Sequence, residues 1–167
     1  ADSATSASEL TKGGKVDLGH LWQGTQAEVL VCDAVEVIAS NNGSILSADG
    51  KTAAVGSDQA VEAMQFLFDT INKTKISPPD VLSWDEEPSR LPFTAGKAAF
   101  LRNWSYVYGI AQDKTASAVV DKVGVAPLPH FAGGKSAACL GGYQYGINAS
   151  TKKREAPVEF LTWMSLP

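Results

Sequence analysis

The run from Val29 to Ala39 constrains the fold more than any other stretch, being apolar throughout except at Asp33 and Glu36. Thr25 stands three residues before Glu28, the capping-box arrangement that opens a helix, and Asn41-Asn42-Gly43 supplies its end. A helix this apolar must be covered on most sides. Glu28, Cys32 and Glu36 recur at i+4 and form one stripe, which is either solvated or turned toward a cleft. The run is also too short and too interrupted for the roughly 20 apolar residues of a membrane-spanning helix, and no other apolar run is longer.

A chain of 167 residues suits one domain, long enough to bury about two thirds of its unfolded surface. Hydrophobic residues make up 44% and charged ones 19%, a globular balance. The net charge is -4, with Lys and Arg scattered. Phosphate binding needs a concentrated basic footprint, so nucleic acid is not expected as a partner. Cys32 and Cys139 are far apart and belong to no close-spaced ligand pair, so neither zinc nor a disulfide framework is implied, and both read as small buried apolar residues. Gly133-Gly-Lys-Ser136 superficially resembles a phosphate loop but lacks the leading glycine and precedes a strand. No metal or cofactor is expected.

Residues 1–16, small and polar and ending in Lys12-Gly-Gly-Lys15, read as a flexible lead-in, and 17–167 as the folded unit. Around Leu18, His20 and Trp22 a short strand is expected, stopping at Gly24. After the apolar helix, Asp49-Gly50 marks a small hairpin between 45 and 55. Ser57 caps a second helix whose apolar stripe is Val61, Met64, Phe68 and Ile71. Consecutive prolines at Pro78 and Pro79 forbid helix there. A short helix opened by Ser83 or Asp85 is expected to reach Arg90, and Asp85-Glu86-Glu87 reads as acid at a helix N-terminus. A last helix follows Thr151-Lys-Lys-Arg154, with Pro157 in its first turn and Phe160, Leu161 and Met164 packing inward.

Two places point toward a ligand. Gly96 to Leu101 reads as a strand that delivers Arg102, Asn103 and Trp104 at its C-terminal end, with a helix to Ala111 after it. In open α/β sheets the ligand crevice lies beyond the carboxyl ends of strands. Lys122 to Pro129 reads as a buried strand ended by Pro127 and Pro129, and Ala138 to Ile147 as another, interrupted by Gly141-Gly142 just before Tyr143. Glycines beside an aromatic face make a platform where backbone donors and a flat apolar surface meet a small molecule. The bland readings are a kink with a core tyrosine, and a core Trp104 beside an arginine paired with an acid.

Catalytic patterns are thin. His20 and His130 are the only histidines, and no Gly-x-Ser-x-Gly elbow occurs. Glu28, Glu36, Asp85 and Glu86 offer carboxylates for glycoside chemistry, but no spacing pairs them.

Taken together and in order, Leu21-Trp-Gln-Gly-Thr-Gln-Ala-Glu28, Ile76-Ser-Pro-Pro79, Asp85-Glu-Glu87, Gly96-Lys-Ala-Ala-Phe-Leu-Arg-Asn-Trp104, Val123-Gly-Val-Ala-Pro-Leu-Pro129 and Gly134-Lys-Ser-Ala-Ala-Cys-Leu-Gly-Gly-Tyr143 resemble extracellular sugar-binding proteins of ABC importers, especially the trehalose/maltose-binding branch. The resemblance implies an α/β fold: one lobe of a periplasmic-binding-protein-like architecture, a mixed sheet flanked by helices. It covers most of the C-terminal lobe only, with the N-terminal lobe lacking a counterpart. It further implies binding of a disaccharide or short oligosaccharide between lobes, delivery to membrane permease subunits, no catalysis, and a periplasmic, extracellular or cell-surface lipoprotein location. On this resemblance Trp104 stacks on a sugar ring with Arg102 and Asn103 beside it. Gly141 and Gly142 give close backbone contact, Tyr143 stands where relatives often carry tryptophan, and Trp22, Gln23 and Glu28 line the cleft near the hinge. A carbohydrate-processing enzyme using Glu28 or Glu86, and an interaction module indifferent to sugar, are the alternatives.

Overall fold

A computed structural model describes residues 3–166. Its sheet has two parallel strands, β1 (Leu18–Leu21) and β2 (Ala98–Leu101), in register Leu18 with Ala98, His20 with Phe100 and Leu21 with Leu101. The Arg102 N–H extends the ladder by donating to the Leu21 carbonyl at 2.9 Å. The opposite edge of β1 is met by residue 76, whose carbonyl accepts from the Gly19 and His20 amides at 3.0 and 2.8 Å. That approach needs glycine: a Cβ at Gly19 would stand 2.9 Å from the Ile76 carbonyl oxygen and 3.1 Å from the Ala7 side chain. Both strands were expected. The mixed sheet was not found, since the two strands among the described residues run parallel.

Helix α1 (Ser3–Lys12) occupies what reads as a flexible lead-in, and it buries Ala7 against β1. Its one fully buried residue is the small Ala7, with Leu10 and several Ser and Ala residues half-buried beside it.

Helix α2 (Glu28–Ser40) realises the apolar run, but its N-cap is Ala27, without a side-chain bond, so the Thr25 capping box is not used. Helix α3 (Asp58–Asn72) is capped as expected, Ser57 Oγ accepting from the Ala60 N–H. Its buried face differs from the expected stripe. Ala60, Ala63, Leu67 and Thr70 are buried, while Val61, Met64 and Phe68 are exposed. The small side chains win because α2 approaches closely there: Ile38, Ala60 and Ala63 form one cluster, with Val37 and Phe131 packed on it. A second cluster joins Trp22, Leu67 and Val81, with Leu30, Phe66, Ile71 and Trp84 around it. The hairpin at 45–55 is reduced to one antiparallel bridge, Leu46 to Ala53.

A 3₁₀ turn (Pro79–Ser83) begins at the second proline, where a missing donor costs nothing. Helix α4 (Glu86–Thr94) runs past Arg90 in spite of Pro92, and α5 (Tyr106–Ala111) follows β2. Helix α6 (Glu155–Met164) buries no side chain: Phe160 and Met164, expected inside, are exposed. The strands expected over 122–129 and 138–147 do not form. Val125, Leu140 and Tyr143 are exposed, and alternation of residue types makes a strand only where a neighbouring backbone completes the ladder.

Candidate functional site

The end of β2 carries the most polar interior of the protein. Arg102 is 7% exposed, and its Nε and a terminal nitrogen donate to the two oxygens of Glu36, both at 2.7 Å. Nε also lies 2.8 Å from Asp33 Oδ1, and the other terminal nitrogen donates to Gln23 Oε1 at 3.0 Å. Asp33 and Glu36 are the two acids that interrupt the apolar run. Three positions apart on α2, they lie on one face, and that face meets the guanidinium. The Glu28–Cys32–Glu36 stripe therefore turns toward protein over its second half. Asp33 Oδ2 also accepts the Gln23 N–H at 2.9 Å.

Charge balance in this cluster is uneven. Burial pushes the Asp33 carboxyl up to about 7, against the opposing pull of the Arg102 charge and the Gln23 hydrogen bond. Burial also works against the Arg102 charge, but the Glu36 hydrogen bonds and the two carboxylates outweigh it and hold its pKa above the ordinary value.

Around this cluster stands Trp104. The Arg102 guanidinium carbon lies 4.6 Å from its ring centroid, within cation–π range. Its indole N–H donates to Glu86 Oε1 at 3.0 Å, and its backbone N–H to Asn103 Oδ1 at 2.8 Å. The Asn103 amide in turn donates to the Glu86 carbonyl at 3.0 Å and to Ser89 Oγ at 3.3 Å. Ser89, fully buried, also accepts from Gln23 Nε2 at 2.7 Å. The ring is thus fixed at its nitrogen and its backbone while staying partly exposed. Gly141 lies against it: a Cβ there would stand 3.0 Å from Cη2 and 3.1 Å from Cζ3 of the indole.

The residues expected at a site divide accordingly. Asn103, Trp104, Arg102 and Gly141 are brought together, with Gly142 next to them in the chain. Arg102 and Gln23, expected to touch ligand, are instead buried and occupied with Asp33, Glu36, Ser89 and each other. Trp22 is 4% exposed, packed on Leu67 and Val81 with its N–H on Ser77 Oγ at 3.2 Å, and is part of the core. Glu28 is exposed at the start of α2, where its carboxylate accepts from the Cys32 thiol at 3.2 Å. Tyr143 is fully exposed.

Asp33 and Ser89 were missed, and Glu86 was named only as a carboxylate for the enzyme alternative. For Asp33 the signal was an acid inside an apolar helix, three residues from another. Glu86 reads as ordinary acid at a helix N-terminus, and its bond to Trp104 is a tertiary fact. Ser89 gives no local signal. A shallow hollow of about 320 Å³ beside Ala156, Glu159, Phe160 and Trp163 on α6 shares no residue with the Trp104 cluster.

Comparison with known proteins agrees with this architecture. A probable ABC transporter-binding protein of Deinococcus radiodurans is 38% identical over 149 residues, 89% of this chain and 34% of the relative. A probable amino-acid ABC transporter periplasmic-binding protein of Sinorhizobium fredii is 26% identical over 133 residues, 80% of this chain and 29% of the relative. The chain therefore spans about a third of the length of these relatives. Among solved structures, maltose-bound T. maritima MalE3 superposes with a TM-score of 0.77 at 38% identity, covering 81% of this chain and 34% of that one. An ABC transporter solute-binding protein from Agrobacterium radiobacter K84, in complex with ribitol, superposes with a TM-score of 0.81 at 27% identity, covering 97% and 40%. The family model for bacterial extracellular solute-binding proteins matches residues 2–167, and the chain belongs to that family.

Proposed function

We propose that this chain supplies one wall of a sugar site, the greater part of the C-terminal lobe of a binding protein that delivers a disaccharide or short oligosaccharide to the permease of an ABC importer outside the cytoplasm. The observation that carries the reading is the partly exposed Trp104 indole, anchored by Glu86 and Asn103 and flanked by the bare backbone of Gly141. A sugar offers an apolar C–H face and a rim of hydroxyls, and a fixed aromatic plane beside polar backbone matches both. The solved relatives with maltose and ribitol support a polyhydroxyl ligand, and trehalose or maltose is the ligand we favour.

The Sinorhizobium relative's name raises an amino acid as the competing ligand. An amino acid needs a cation for its carboxylate, and Arg102, the cation that lies over Trp104, is already committed to Glu36 and Asp33. That commitment favours an uncharged ligand. Catalysis has no part in the proposal, and Glu86 acts as the acceptor that holds the indole.

The test is a tryptophan-fluorescence titration of the chain with trehalose, maltose, sucrose, ribitol and a panel of amino acids. Part of a site is expected to bind at roughly millimolar affinity, because fewer contacts offset the cost of immobilising the ligand. A saturable response to a sugar, lost in Trp104→Ala, is the expected result. Saturation by an amino acid with no sugar response would overturn it.

A further inference from the structure

We propose that Cys32 and Cys139 form a reversible disulfide that fastens the stretch around 139–143 to α2. The two sulfurs lie 2.9 Å apart although the residues are 107 positions apart in sequence. A disulfide bond is roughly 2.05 Å long, so closing it needs about 1 Å of movement. The Cys139 N–H already donates to Glu36 Oε1 at 3.0 Å, which brings this backbone to the face of α2 that carries Cys32, one turn before Glu36. The partners differ in rigidity. Cys32 sits buried within a helix, whereas Cys139 lies on a stretch without a strand ladder. Two residues after Cys139, Gly141 rests on Trp104, so the bond would set where that backbone meets the indole.

Thiol–disulfide exchange supplies the chemistry, and proteins of an extracellular family fold where such bonds persist. The half-buried Cys139 reacts first, since burial and its hydrogen-bonded neighbours Cys139 and Glu28 push the Cys32 thiol up to about 12. The Cys139 thiolate attacks one sulfur of an external disulfide, whose S–S bond breaks and whose other half leaves as a thiolate and takes a proton. Cys32, whose S–H points at the Glu28 carboxylate, then attacks the Cys139 sulfur. The second half leaves and takes the other proton. The protein loses two electrons and two protons, and the external disulfide gains both.

The test equilibrates the folded, reduced chain with oxidised glutathione, then denatures it, alkylates free thiols and maps peptides by mass. The expected product lacks alkylation at both cysteines, weighs two hydrogens less than the reduced chain, and joins the Cys32 and Cys139 peptides. The Cys32→Ser chain should instead keep a glutathione adduct on Cys139, and the Cys139→Ser chain, left with the buried Cys32, should keep a free thiol. In the wild type the crosslink should raise Tm by about 5–15 °C and slow amide exchange over 139–143. Two alkylated thiols, or glutathione left on Cys139 in the wild type, would overturn the proposal. A crosslinked chain with unchanged exchange over 139–143 would overturn the fastening. None of these readouts depends on which ligand the protein takes.

Discussion

Replacing Arg102 with alanine removes the cation that, among the described residues, pairs with Asp33 and Glu36 in the buried cluster. The Glu36 carboxylate loses both 2.7 Å bonds from the guanidinium, Asp33 loses its 2.8 Å contact, and Gln23 Oε1 loses its donor. Removing one partner of a buried ion pair costs about 3–5 kcal/mol, because the remaining charge is left desolvated. Here two carboxylates are left, so the upper part of that range applies. With a urea m-value of about 2 kcal/mol/M, the midpoint should fall by roughly 2 M. Arg102→Lys keeps the charge but not the planar fork that engages both Glu36 oxygens, and should cost about 1–3 kcal/mol. The deficit of Arg102→Ala also has a sign in pH. Asp33, already at about 7 through burial, loses the charge that pulls it down. It rises further, and the deficit should shrink as pH falls and Asp33 takes a proton. Adding Asp33→Asn and Glu36→Gln should recover much of the loss at neutral pH. Urea unfolding followed by far-UV circular dichroism at pH 5 and pH 8 measures all of this. An Arg102→Ala cost below about 1 kcal/mol at pH 8 would refute the reasoning, since no desolvated charge can then have been left behind.

Further outcomes follow from substitutions elsewhere in the chain. Asp33 has a raised folded pKa, so its stabilising contribution is complete below about pH 4 and declines as pH rises through about 7. His20, half-buried on β1 and lowered by burial to about 4, contributes above pH 6.5 and loses that contribution as pH falls toward 4. Relative to wild type, Asp33→Asn should therefore gain stability from pH 4 to 6.5, and His20→Gln should lose it. Each slope is at most about 1.4 kcal/mol per pH unit, and urea midpoints across that range read both. Gly141→Val should displace the Trp104 ring, shift its fluorescence and weaken sugar binding, whereas Gly142→Val, with nothing within 4 Å of its added Cβ, should be tolerated. Leu67→Ala should cost about 2–5 kcal/mol and Phe68→Ala less than about 1, because Leu67 is 4% exposed and Phe68 56%; thermal unfolding separates them.

Elements whose cause is local were legible in the sequence. Ser57 caps α3 through its own hydroxyl, Val29 to Ala39 forms α2, and 98–101 leads straight to Arg102, Asn103 and Trp104. What depends on a distant partner was not. The α3 face is chosen by how near α2 comes, so Ala60 and Ala63 outrank Met64 and Phe68. Residues 122–129 and 138–147 have strand-like composition and no ladder, and the apolar residues of α6 point outward. The site shows the same division. Trp104 and Gly141 were visible as an aromatic and a bare backbone, but two ring-bearing candidates are indistinguishable by type. Trp22 became core and Trp104 stayed partly exposed because Leu67 and Val81 lie over one and Glu86 reaches the other.

That distinction gives the most direct measurement. The chain has four tryptophans; with each replaced by 5-fluorotryptophan and assigned through single Trp→Phe variants, fluorine NMR follows them separately during a maltose or trehalose titration. The account requires the Trp104 resonance to move saturably with sugar while the buried Trp22 resonance stays in place. Movement of Trp22 with Trp104 unaffected, at sugar concentrations that saturate the chain, would contradict it.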